Sequence, residues 1–293
     1  MSSDLYDYSA TEPEKPAKAI ESGLYIVATP IGNLADMSQR AIEMLRAADL
    51  VAVEDSRVTG KLLHHLGLKK RMRPYHDHSS EADRDSLLAA ARNGVVVLVS
   101  DAGTPLISDP GYKLVRAARE AGITVSTAPG PSAAIAALSI SGLPTDRFLF
   151  AGFLPSKAKA RADALAELAH VKTTLLFYES GPRLGASLQS MAEILGPRDA
   201  VVARELTKKF EEVVSGSLLE LASQYAEVEP KGEIVVVVGP PADAAHEAGD
   251  FENALKIALQ SMPPAKAAKD IAKRFGVDRA EVYERAMVLK SGA

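Results

Sequence analysis

The stretch Val95-Val96-Val97-Leu98-Val99, running straight into Ser100-Asp101-Ala102-Gly103-Thr104-Pro105 and on through Ser108-Asp109-Pro110-Gly111, decides the fold. Five apolar, mostly β-branched residues read as a strand buried on both faces, and Tyr112 to Ala121 reads as a helix. The polar loop therefore hangs from the carboxyl end of a central strand, where open α/β sheets bind ligands. It offers a carboxylate at its start, a glycine that lets a ligand approach backbone, and prolines that fix its course. Taken alone it reads equally as an ordinary turn and as a binding loop.

Working outward, Leu24 to Ala28 reads as a strand followed by the loop Thr29-Pro30-Ile31-Gly32-Asn33-Leu34 and a helix from Ser38, its N-cap, to Ala47. Leu50 to Val53 reads as a strand ending in Glu54-Asp55-Ser56-Arg57. A helix holding His64 and His65, an irregular Tyr75–His78 segment, a helix from Glu81 to Arg92 and a strand at Ile123 to Val125 complete a first α/β half. Strands alternating with helices predict a parallel sheet. Ala128 to Ser132 reads as a linker into a small-residue helix, Ala133 to Ile140. A second α/β half then has strands near Phe148, Thr173, Ala200, Glu212 and Ile234, and its hairpin-like pieces predict a mixed sheet. Polar loops are expected at Glu179-Ser180-Gly181-Pro182-Arg183 and at Arg204-Glu205-Leu206-Thr207-Lys208-Lys209. After Gly239-Pro240-Pro241 the chain turns alanine-rich and helical. Pro263 to Phe275 and Arg279 to Leu289 outline a helix-turn-helix, and from Pro263 to Ala293 there are seven Lys or Arg against four Asp or Glu, a surface suited to RNA contact or simply solvated. The expected division is a disordered tail over 1–21, α/β domains over 22–130 and 131–241, and a helical extension over 242–293.

Composition narrows the chemistry. With no cysteine among 293 residues, disulfides, thiolate metal sites and cysteine nucleophiles are out, and six scattered histidines predict no metal site. The polar, acidic start carries no signal peptide and no run is apolar enough to span a bilayer, so a cytoplasmic protein is expected. A formal net charge of -4 argues against indiscriminate nucleic-acid coating and leaves room for a local basic patch. The glycine fingerprint of dinucleotide binding, the lysine-bearing triphosphate loop and the Gly-x-Ser-x-Gly elbow are all missing. The loops supply carboxylates, small residues and backbone groups instead, a set suited to ribose hydroxyls, an adenine edge and an amino-acid zwitterion.

Five of these motifs in order resemble the tetrapyrrole-methylase superfamily: Thr29 to Leu34, Glu54 to Arg57, Asp101 to Pro105 with Ser108 to Gly111, Tyr178-Glu179-Ser180 with Arg183, and Arg204 to Lys208. Within it they resemble the branch that 2′-O-methylates a cytidine of small-subunit (16S) ribosomal RNA. The resemblance implies two α/β domains with S-adenosylmethionine in a cleft between them, a homodimer, no metal, no membrane, and 16S rRNA or the small ribosomal subunit as substrate. It also implies cofactor contacts from Pro30, Asp101, Gly103, Thr104, Ser132, Ala133, Tyr178, Glu179, Ala203, Arg204, Lys231, Gly232 and Glu233. Thr29-Pro30-Ile31-Gly32-Asn33 departs from the glycine-rich acidic loop of corrin-making members, which disfavours a tetrapyrrole. A diphthine-synthase-like or corrin-type methylase remains the alternative. Gly181 between Ser180 and Pro182 is a second departure. A ribose hydroxyl needs a base or strong acceptor, and Glu54, Asp55, His76 and Glu205 are candidates. The Glu54–Arg57 loop is preferred, with Arg57 placed to pair with a carboxylate or phosphate; the competing reading is that Asp55 or Glu54 caps a helix or pairs with Arg57.

Overall fold

The computed structural model describes residues 20–76, 78–241, 255–256, 258–259, 262–275 and 278–291. Nearly all of the expected 1–21 tail lies outside them. The chain divides into two compact units between Ala133 and Ala134.

The first unit runs β1 (Gly23–Val27), α1 (Gln39–Ala47), β2 (Leu50–Val53), α2 (Ser56–His65), β3 (Met72–Pro74), α3 (Glu81–Asn93), β4 (Val95–Leu98), α4 (Tyr112–Glu120) and β5 (Val125–Ala128). Its sheet has the order β3-β2-β4-β1-β5 and every pairing is parallel. Alternation along the strands feeds two cores. Tyr25, Val27, Val51, Val53, Val95 and Val97 pack with Met44 and Leu45 of α1, whereas Leu24, Ile26, Val96 and Leu98 pack with Leu87 of α3 and Leu114 of α4. Apolar runs without polar interruption are what a sheet covered on both faces requires. Ser38 caps α1 by accepting from the Ala41 N–H, and Ser80 with Asp83 closes a capping box on α3.

In the second unit α5 (Ala133–Ile140) leads into β6 (Phe148–Phe153), α6 (Ala158–Leu168), β7 (Thr174–Ser180), α7 (Gly181–Leu195), β8 (Asp199–Arg204), β9 (Glu212–Ser217), α8 (Leu218–Gln224) and β10 (Glu233–Val238). The order is β6-β7-β10-β8-β9; only β6 and β7 pair in parallel, so the sheet is mixed as expected. Its core joins Leu175, Phe177, Val202 and Val236 of the sheet to Leu184, Leu188 and Met191 of α7. Further on, α9 (Pro264–Phe275) and α10 (Arg279–Ser291) share a separate core of Ala267, Ala268, Ile271, Val282 and Ala286. The turn expected at residues 276–277 lies outside the described residues.

Two expectations are corrected and one strand is added. The added strand is β3, ahead of Tyr75 at the sheet edge, too short to show a pattern and ending in proline, which an edge tolerates. The strand expected at Ile123 begins at Val125 and runs to Ala128, because Ile123 turns in against Ala118 through its N–H. Glu179 and Ser180 belong to β7, and α7 starts at Gly181, so no loop separates them.

Candidate functional site

Because the first sheet is parallel and β2, β4 and β1 are neighbours, the loops after all three leave the same edge. They are bonded to one another. Thr29 and Gly103 exchange two backbone hydrogen bonds, Thr29 N–H to Gly103 O at 2.9 Å and Gly103 N–H to Thr29 O at 3.0 Å. The Asp101 carboxylate accepts from the Asp55 N–H at 3.1 Å, and the Asp101 N–H reaches Glu54 Oε2 at 3.4 Å. Thr104 donates its hydroxyl to Pro131 O at 3.0 Å, which ties the same loop to the segment holding Ser132 and Ala133. Gly103 has φ +78, and a Cβ there would meet Ile31 at 3.3 Å, so glycine is required for the loop's turn. Pro30, Glu54, Asp55, Asp101, Gly103 and Thr104 are therefore one assembly.

Asp55 has the helix-capping role that competed with catalysis in the sequence. It caps α2 through the Arg57 N–H at 2.8 Å and pairs with the Arg57 guanidinium at 2.5 Å. These bonds hold its carboxyl down at about 2, which makes it a weak base. Arg57 keeps most of its side chain in solvent. Burial raises the Asp101 carboxyl above the ordinary value.

Asp109 received no role from its sequence. Half-buried and facing Ser100, Glu54 and Asp101, it is pushed up to about 6, mainly by desolvation. Only the folded loop crowds these carboxylates, so no spacing rule could have flagged it. An acid whose folded pKa exceeds its unfolded 3.8 binds more protons when folded between those values, so its contribution to stability is complete below pH 3.8 and is lost as pH rises through about 6. Asp109→Asn is accordingly expected to stabilise the protein at pH 7 by about 1–2 kcal/mol, discounted for partial exposure. Thermal melts at pH 4.5 and 7 check this: the gain belongs to pH 7 and shrinks at pH 4.5.

In the second unit the antiparallel partners of β10 bring the other predicted residues together. Glu233 pairs with Ser180, Ile234 with both Glu179 and Arg204, and Val235 with Tyr178 and Ala203. Arg204 reaches Lys231 O at 3.1 Å and Glu212 at 3.0 Å, and Lys208 bridges Glu205 and Glu233 at 2.8 Å each. Tyr178 accepts at its hydroxyl from the Ala134 N–H of α5 at 3.3 Å. Glu179 is turned inward, 3% exposed, taking the Ser187 hydroxyl at 2.5 Å and the Ser180 N–H at 2.9 Å. Its carboxylate fastens β7 to α7, while its backbone lies in the ladder opposite Ile234. Lys208 holds the Glu205 carboxyl below the usual range, so that base candidate is weak. His76 is exposed beside Ser79.

Backbone strain falls on the same two places. Among the described residues the non-glycine residues at left-handed φ are Leu106, Ser108, Glu205 and Thr207, two in the loop after β4 and two in the loop after β8. Such strain persists where surrounding structure imposes it and gathers at functional sites.

The sequence model of Tetrapyrrole (Corrin/Porphyrin) Methylases matches residues 23–222, and the chain belongs to that family. The RsmI C-terminal HTH domain matches residues 240–290, the helical extension. More particularly, the chain is similar to ribosomal RNA small subunit methyltransferase I of Erythrobacter litoralis, 54% identical over 98% of this chain and 99% of that one. The corresponding protein of Mesorhizobium japonicum is 50% identical over 95% of this chain and 96% of its own. Uroporphyrin-III C-methyltransferase from Thermus thermophilus, solved with S-adenyl homocysteine, shares the fold at TM-score 0.50 and 22% identity, covering 74% of this chain and 97% of that one.

Proposed function

We propose that the protein transfers a methyl group from S-adenosylmethionine to the ribose 2′-hydroxyl of a cytidine in 16S ribosomal RNA. The observation that carries this reading is near-full-length kinship, at 50 and 54% identity, to two ribosomal RNA small subunit methyltransferase I proteins. That kinship favours RNA over the diphthine-like and corrin-type substrates that the fold also serves.

The residues present suit the cofactor. Asp101 offers one carboxylate oxygen, Oδ2, that takes no hydrogen bond among the described residues, and Gly103 leaves the adjoining backbone open on its Cβ side except toward Ile31 and Pro131. Asp101, Gly103, Thr104, Ser132, Ala133 and Pro30 are assigned to it from the first unit. Tyr178, the Glu179 backbone, Ala203, Arg204, Lys231, Gly232 and Glu233 are assigned from the second. When bound, S-adenosylmethionine supplies an electrophilic methyl group on a sulfonium sulfur. The chain's own residues orient the ribose, exclude water and accept the hydroxyl proton. Within the 54–57 loop, Glu54 is assigned as acceptor, Asp55 as the cap that fixes the loop, and exposed Arg57 as a phosphate contact. The basic helices α9 and α10 contribute RNA affinity, and the protein acts as a cytoplasmic homodimer.

Full-length protein incubated with methyl-labelled S-adenosylmethionine and small subunits lacking the mark should place label on a ribose oxygen of the RNA; label absent from RNA overturns the reading. In the same assay Glu54→Gln is expected to lower kcat by about 10²–10⁴-fold while calorimetry finds cofactor affinity unchanged. Full turnover in that variant removes Glu54 as the acceptor.

A further inference from the structure

A cavity of ≈ 250 Å³ opens within the first unit, between the Pro30 loop, the first turns of α2 and Asp101. It shares Pro30 and Asp101 with the cofactor residues assigned above, and its other walls are new. Leu34 and Val58 are 46% and 39% exposed beside it, two large apolar side chains with no core to join. Lys61, also on the wall, makes no ion pair among the described residues and stays exposed. Thr59 lines the cavity at 2% exposure, and its hydroxyl, itself covered, has no hydrogen-bond partner among the described residues. A buried hydroxyl without a partner is costly and calls for an explanation. Valine would fill the same space without that cost.

We propose that this cavity receives one unstacked pyrimidine nucleotide of the RNA, with its base against Leu34, Pro30 and Val58, the covered Thr59 hydroxyl brought to its polar edge by a small shift of the first turns of α2, and Lys61 on a flanking phosphate. The assignment rests on the rRNA methyltransferase reading and adds to it where the substrate sits and which side chains select it. Three properties argue for this occupant. The volume lies below the ~300–1,000 Å³ of drug-sized ligand sites, so it holds a single base or sugar and not a macrocycle. A concave site of that size cannot admit a base pair, so the nucleotide must leave its stack, as it does in enzymes that work on flipped nucleotides. Apolar surface beside a hydroxyl and a free cation matches the three parts of a nucleotide: base face, base edge and phosphate. Asp101 sits on both the cavity wall and the cofactor loop, so a nucleotide held here lies beside the residues assigned to the methyl donor.

Thr59→Val and Lys61→Ala in the full chain test the assignment. Both variants are expected to bind S-adenosylmethionine as the wild type does, and Thr59→Val should melt no lower. For methyl transfer to small subunits lacking the mark, Thr59→Val should lose about tenfold in kcat/KM. Lys61→Ala should raise KM and reduce the salt slope of RNA binding by about one. Saturation-transfer NMR with cytidine 5′-monophosphate gives a readout independent of turnover: the wild type should contact the nucleotide and each variant should weaken that contact. Wild-type kcat/KM in both variants, or nucleotide contact that is absent from the wild type or untouched by both substitutions, overturns the cavity assignment. Wild-type protein that methylates no RNA overturns the functional reading instead, and the NMR arm still decides whether the cavity takes a nucleotide.

Discussion

Gly181→Ala is expected to destabilise the second unit more than any other single-methyl change at the candidate site. A Cβ at Gly181 would overlap the carbonyl oxygen of Pro230, a backbone atom that no side-chain rotation can move aside. The backbone entering β10 would have to shift, and with it the pairing of Glu233 with Ser180 and of Ile234 with Glu179. Overpacking against backbone costs about 3 kcal/mol or more, which for a unit of this size lowers the melting midpoint by roughly 6–12 °C. Calorimetric melting of the purified variant checks it; a midpoint within a degree or two of wild type would mean the contact is looser than it stands here. The glycine that departs from the expected motif is thus explained by close approach of two chain segments, since its φ is not left-handed.

The second large effect is on ligand binding. Asp101→Asn keeps an oxygen to accept the Asp55 N–H and removes only the charge, so the loop that Asp101 and Glu54 hold together stays closed. If the carboxylate holds the cofactor, affinity for S-adenosylmethionine falls by about 10–150-fold, the worth of one hydrogen bond to a charged group. Asp101→Ala removes both functions and is expected to leave no measurable binding. Titration calorimetry separates them: unchanged affinity in the asparagine variant would reduce Asp101 to a positioning residue for Glu54 and Asp55.

Much of the fold was legible because the signals were long. Val95–Val99 and Leu24–Ala28 announce strands buried on both faces, and the parallel order then puts the Pro30, Glu54 and Asp101 loops on one edge without further information. Short or displaced signals failed. β3 has three residues, too few for a period, and β5 starts two residues later than its apolar run suggests because Ile123 serves the core rather than the ladder. At the site, residue types were readable and their employment was not. Asp55 looks as reactive in sequence as Glu54, but a helix starting at Ser56 makes it the cap, and Arg57 two residues on commits it to pairing. Glu179 looks like a ligand group, yet Ser187 of α7, eight residues further along the chain, claims its carboxylate. Asp109 and Thr59 acquire their character entirely from burial, which depends on segments distant in the chain.

The pair of hydrogen bonds between Thr29 and Gly103 has a dynamic consequence. It splices two loops from different strands into a single miniature ladder outside the sheet proper, so the Pro30 segment cannot swing without carrying the Asp101 segment along. A substrate arriving here meets a jaw already set, and little of its binding free energy is spent on ordering the receptor. The signature lies in amide hydrogen exchange: the Thr29 and Gly103 N–H groups should exchange together, at a rate belonging to the opening of the sheet edge rather than to either loop alone.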